Sequence, residues 1–97
     1  MVRYLTLWKW TDQGIAKVEA TTQRAETWSR QVESSGVRIT QFLWTTGEYD
    51  GAIVFEAPDE MTGVAAVAQL EKLGTVRTQT HRAFDMGEMK QVIGKVK

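Results

Sequence analysis

Cysteine is absent from the 97 residues, and proline and histidine occur once each. Without cysteine there is neither a disulfide framework nor a thiolate nucleophile. One histidine, His81, excludes an all-histidine metal cluster, and no metal site is expected. An excess of charge of one sign is missing too: 12 Lys and Arg stand against 12 Asp and Glu. Nucleic-acid and anionic-membrane binders depend on a basic excess, so neither partner is expected. The same neutrality leaves no repulsion to oppose self-association. The longest aliphatic stretch, VAAVA, falls far short of a membrane span. The opening VRYLTLWKW reads as a strand and not as a leader, which leaves the cytoplasm as the default expectation. The length suits one small domain over residues 1–97, with a thin core.

What is present is pattern. Residues 2–10 alternate with period two and are rich in aromatics, which predicts a strand. TDQG breaks it, with Asp12 as the expected cap of a short turn. From about 19 to 34, Ala25, Trp28 and Val32 share one face of an amphipathic helix, and Gly36 suits a left-handed stop. VRITQFLW (37–44) and AIVF (52–55) predict two strands joined by TTGEYD as a hairpin, the second strand central because it is continuously apolar. Pro58 ends the ladder and Asp59 can cap a helix whose apolar stripe is Met61, Val64, Ala65, Val67 and Ala68. Gly74 stops that helix. TVRTQTHRAF (75–84) has the polar cast of an edge strand. A last helix starts at Asp85, with Met86, Met89, Ile93 and Val96 on one face.

The order strand, helix, strand, strand, helix, strand predicts an α+β, ferredoxin-like βαββαβ sandwich with an extra C-terminal helix. The expected sheet is antiparallel in the order 4-1-3-2. Placing Leu5, Leu7, Val37, Ile39, Leu43, Ile53 and Phe55 against the helices leaves an opposite face of Tyr4, Thr6, Trp8, Trp10, Phe42, Trp44, Ala52 and Val54. Asp50, Glu56, Arg77, Gln79 and His81 join that face. So aromatic a surface calls for a partner. A second copy, packed sheet to sheet, would cover it and leave a cavity lined by polar groups. Trp8, Trp10, Trp44, Tyr49, Asp50 and Arg77 are expected at one end of the sheet, with Asp50 and Arg77 as an ion pair.

From this arrangement Trp8, Trp10, Trp44 and Arg77 are the candidate ligand-binding residues for a small planar organic molecule. His81, Tyr49 and Asp50 are the candidate acid–base groups. Each has a plainer role: tryptophans at strand spacing pack, and an edge histidine is partly exposed or hydrogen-bonded. RNA binding on the sheet is disfavoured, because GAIVF supplies no outward aromatic and the net charge is zero. No cofactor is expected; haem on His81 is the alternative that a single histidine permits.

The stretch WTTGEYDGAIVFEAPD resembles the GYD-domain family, with the Gly-Tyr-Asp signature at Gly47, Tyr49 and Asp50. YLTLWKWTDQGI and LGTVRTQTHRAF are similar to that family as well, so the resemblance runs through nearly the whole chain in the same order. It implies small bacterial or archaeal proteins of the dimeric α+β barrel group, whose function is generally recorded as unknown. The wider group holds lactone isomerases, cofactor-free monooxygenases and haem enzymes, but no motif here matches those residue by residue. The expectation is therefore a homodimer or higher oligomer that binds a small molecule, with or without catalysis. A non-enzymatic assembly or regulatory module is the alternative.

Overall fold

The alternating VRYLTLWKW forms strand β1 (Val2–Trp10), the second interior strand of the sheet in the computed structural model, which describes residues 1–97. The chain then runs through α1 (Asp12–Ala16), a 3-10 turn (Val18–Ala20), α2 (Thr21–Glu33), β2 (Arg38–Trp44) and β3 (Gly51–Ala57). It ends with α3 (Glu60–Lys72), β4 (Val76–Arg82) and α4 (Met86–Ile93). The sheet order is β2-β3-β1-β4, and every pairing is antiparallel. Fold class, strand order, the central place of β3 and the edge place of β4 are as the sequence predicts.

The ends of the helices follow local chemistry. Asp59 caps α3 by accepting the Thr62 N–H at 2.8 Å. Asp85 and Glu88 form a reciprocal capping box at the start of α4. After α2 the chain reverses through Gly36 at φ +90°, and after α3 through Gly74 at +78°. The cap of α1 is Thr11 and not Asp12: the Thr11 hydroxyl accepts the Gly14 N–H at 3.1 Å, and Asp12 is the first helical residue.

The two faces of the sheet differ from the expected assignment. Tyr4, Thr6 and Trp8 of β1 point at the helices and are buried, with Trp8 only 2% exposed. Leu5 and Leu7 lie on the opposite, open face, because their rung partners Val54 and Ala52 alternate with the core residues Ile53 and Phe55. Size decides the direction: a buried tryptophan or tyrosine removes more apolar surface from water than a leucine. The facing positions are small enough to admit the rings. A Cβ on Gly51 would lie 2.1 Å from the Trp8 ring, and one on Gly63 would lie 2.5 Å from the Tyr4 ring.

In β2 an irregularity between Ile39 and Gln41 inserts one extra residue. Ile39 faces the helices before it, and Phe42 and Trp44 face them after it, so Leu43 is turned to the open side. The core therefore joins Tyr4, Trp8, Ile53 and Phe55 of the sheet to Trp28 and Val32 of α2 and to Ala66 and Leu70 of α3. The Trp28 indole N–H reaches the Ala66 carbonyl at 2.9 Å and fixes α2 against α3. The face of α2 is as predicted, but α3 is rotated. It buries Gly63, Ala66 and Leu70, and leaves Met61, Val64, Ala65 and Ala68 exposed.

Candidate functional site

The expected aromatic end of the sheet exists, but the sheet divides it. On the helix side Trp8 meets Trp10 and Trp44 edge-on at 5.5 and 6.2 Å, and Phe42 stacks on Trp44 at 4.9 Å. The Trp44 indole donates to the Thr21 hydroxyl at 3.0 Å. Beside Trp8, Phe42, Thr21 and Thr75 lies a cavity of about 20 Å³, room for about one water. The indole N–H groups of Trp8 and Trp10 are buried with no protein partner.

Arg77 stands on the open side, paired across the strand with Lys9. Trp8, Trp10 and Trp44 thus share an end of the sheet with Arg77 but not a face, and they do not line one pocket with it. The expected ion pair between Asp50 and Arg77 is also absent. The Asp50 carboxylate accepts the Trp10 backbone N–H at 2.9 Å, and Arg77 makes no ion pair.

On the open face, rungs across β4 and β1 set His81 beside Leu5, Gln79 beside Leu7 and Arg77 beside Lys9. Across β3 and β2 follow Val54 and Ala52, then Gln41 and Leu43. The Tyr49 hydroxyl donates to the Gln79 side-chain oxygen at 2.6 Å, and the Lys9 ammonium lies 5.1 Å from the centre of the Tyr49 ring. His81 is exposed on the edge strand, as predicted. The result is an apolar strip bordered at one end by Lys9, Tyr49 and Arg77 and along β4 by Gln79 and His81, a polar crescent. At the other end the Arg3 guanidinium reaches Glu56 at 2.9 Å, Asp85 at 3.4 Å and Glu88. These acceptors, the Glu88 hydrogen bond first, hold its pKa above the ordinary arginine value.

The turn between β2 and β3 joins the two sides. Gly47 has φ +116°, with open space around its Cα. The Asp50 N–H donates to the Trp8 carbonyl and its own carbonyl accepts the Thr45 N–H, both at 2.8 Å. With the carboxylate on Trp10, Asp50 continues the pairing of β1 one residue beyond the start of β3. A model of the GYD domain matches residues 4–93 of this chain. The chain belongs to the GYD-domain family. No curated protein matches it in sequence.

In this GYD domain the three signature residues divide the work. Gly47 allows the reversal, Asp50 ties the turn to β1, and Tyr49 sends its ring and hydroxyl across the open face. Lys9 and Gln79 complete that contact. Lys9 shares its side of β1 with Leu5 and Leu7, so placing those leucines against the helices left it out of the expected site. The clue was Gly51: a glycine in a strand often marks the close approach of another group, and here that group is the Trp8 ring. Read that way, Trp8 goes to the helix side and Lys9 to the side of Tyr49.

Proposed function

We propose that the open face pairs with the same face of a second copy, and that the crescent of Lys9, Tyr49, Arg77, Gln79 and His81 then lines a site for a small organic acid. The observation that carries this reading is the face itself. Leu5, Leu7, Ala52, Val54 and Leu43 form an apolar strip that no element of the chain covers, bordered by cations without carboxylate partners. A flat sheet lacks walls, and a ligand site needs concavity. A second sheet packed about 10 Å away supplies the walls and removes the strip from water. Lys9 and Arg77 side by side favour an anion, for which an arginine offers a bidentate fork. Tyr49 supplies a flat ring beside it, and His81 an imidazole able to donate or accept a hydrogen bond. One observation favours assembly without a ligand: Tyr49 and Gln79 already satisfy each other.

Light scattering at micromolar concentration is expected to give at least twice 11.0 kDa. Leu7→Arg is expected to stay folded and to lower that mass. A wild-type monomer overturns the pairing. A panel of planar carboxylic acids is then screened by thermal shift, and Arg77→Gln is expected to weaken any hit at least about tenfold, roughly 1.4 kcal/mol. A stable dimer that binds none of the acids leaves the assembly reading in its place.

A further inference from the structure

Two apolar helix surfaces of this chain remain uncovered, and their charges are opposite. The first is the outer stripe of α3, where Met61, Val64, Ala65 and Ala68 recur at i, i+3, i+4 and i+7. Met61 is 85% and Val64 61% exposed. Alongside it a groove of about 280 Å³ runs between α3 and β4, lined by Tyr4, Gly63, Val64, Val67 and Ala68 among others. The formal charges of this helix and its cap are Asp59, Glu60 and Glu71 against Lys72.

The second surface is α4. It buries none of its own residues, and Met86, Met89 and Ile93 are exposed along one side. The acids of this helix and its cap, Glu88 and Asp85, are both bound to Arg3, and Lys90, Lys95 and Lys97 follow. An eight-residue helix without a packed face is marginal in water, so its apolar side calls for a surface. Arg3 anchors the start of α4 beside Glu56, which lies on the open side of the sheet, away from α3. The helix therefore leaves the body of its own chain on the side opposite the groove.

We infer that α4 of one copy docks on the outer stripe of α3 of a second copy. The apolar sides meet as a helix in a groove, and the lysines of α4 face the acids of α3. The chain carries both halves of the contact, which is the condition for self-assembly. This contact is separate from sheet-face pairing and adds to it.

The absence of cysteine makes the test direct. Val64→Cys and Ile93→Cys are exposed single changes, and each gives a protein with one thiol. Mixed and treated with a short bis-maleimide, the two variants are expected to give a covalent species of twice 11.0 kDa, several-fold above the yield of either variant alone. Adding Lys90→Glu and Lys95→Glu to the Ile93→Cys chain is expected to lower that yield several-fold. A mixture that links no better than its single components overturns the inference. So does a Val64→Cys/Ile93→Cys double variant that links only within one chain, and so does a yield unchanged by the lysine reversals. The sheet-face reading is scored separately, by the fall in mass that Leu7→Arg causes in a chain already carrying Lys90→Glu and Lys95→Glu, so that either contact can fail alone.

Discussion

The two faces of the sheet are built from the same strands and solve different problems. The helix side holds Tyr4, Trp8, Phe42, Ile53 and Phe55, and closes over them with small residues opposite large ones. Gly51 lies under the Trp8 ring and Gly63 against the Tyr4 ring. The buried Thr6 on that side shares a hydrogen bond with Thr80 at 2.9 Å. The open side holds leucine, valine and alanine in a strip, with charge and hydrogen-bonding capacity left at the rim. In β1 ring size separates the faces: Tyr4 and Trp8 went where a closed core could surround them, and Leu5 and Leu7 stayed where a flat partner could cover them. The helix side is the part that folds the chain, and the open side is the part free to meet something else.

The strongest way to break this comparison is to truncate neighbouring residues on opposite faces. Trp8→Ala should cost about 3–5 kcal/mol, because it empties the centre of the core. Leu7→Ala, measured by urea unfolding at dilution, should cost about 1 kcal/mol or less. Equal losses would mean that both faces are core. Gly47 of the signature turn and Gly51, which opens β3, sharpen the point. An alanine at Gly51 would meet the Trp8 ring at 2.1 Å and the Leu43 carbonyl at 2.4 Å, and a crowded core resists by about 3 kcal/mol. At Gly47 nothing lies within 4 Å, so Gly47→Val should lose only the backbone preference, about 1 kcal/mol. If the two glycine changes are equally costly, crowding against Trp8 is not what Gly51 relieves.

Most of the fold was legible because it rests on local rules. Period-two alternation, turn glycines at Gly36 and Gly74, and caps at Asp59 and Asp85 each act within a few residues. The faces were harder. In β1 both alternating sets are apolar enough to be buried, so period alone does not choose between Leu7 and Trp8. The choice depends on Gly51 and Gly63, which are 43 and 55 residues from Trp8 in the chain. In β2 the extra residue near Thr40 reverses the alternation, and nothing in VRITQFLW announces a bulge. Of the candidate site, Tyr49, Arg77 and His81 fall on the open face as read. The tryptophans changed sides with their strands, and the Asp50 carboxylate turned out to serve a backbone N–H.

The smallest expected effect concerns the roof of the core and its dependence on pH. Asp59 starts α3, the helix that holds Gly63 against Tyr4. Its carboxylate accepts the Thr62 backbone N–H, and this hydrogen bond holds its pKa below the ordinary carboxylate value. The charge also suits the positive end of the helix. Because the folded pKa is the lower one, the bond's contribution is present in full above the unfolded value of about 4 and is lost as pH falls through the folded value. Asp59→Asn keeps a capping oxygen and removes the titration. Near neutral pH the wild type should melt slightly above the variant. That margin should shrink as the solution is taken below about pH 4, where the aspartate takes up its proton. Melting curves of the two proteins over that range decide it. A margin that stays constant down to about pH 2 would mean that the Asp59 charge does not support α3, and that the cap acts through its oxygen alone.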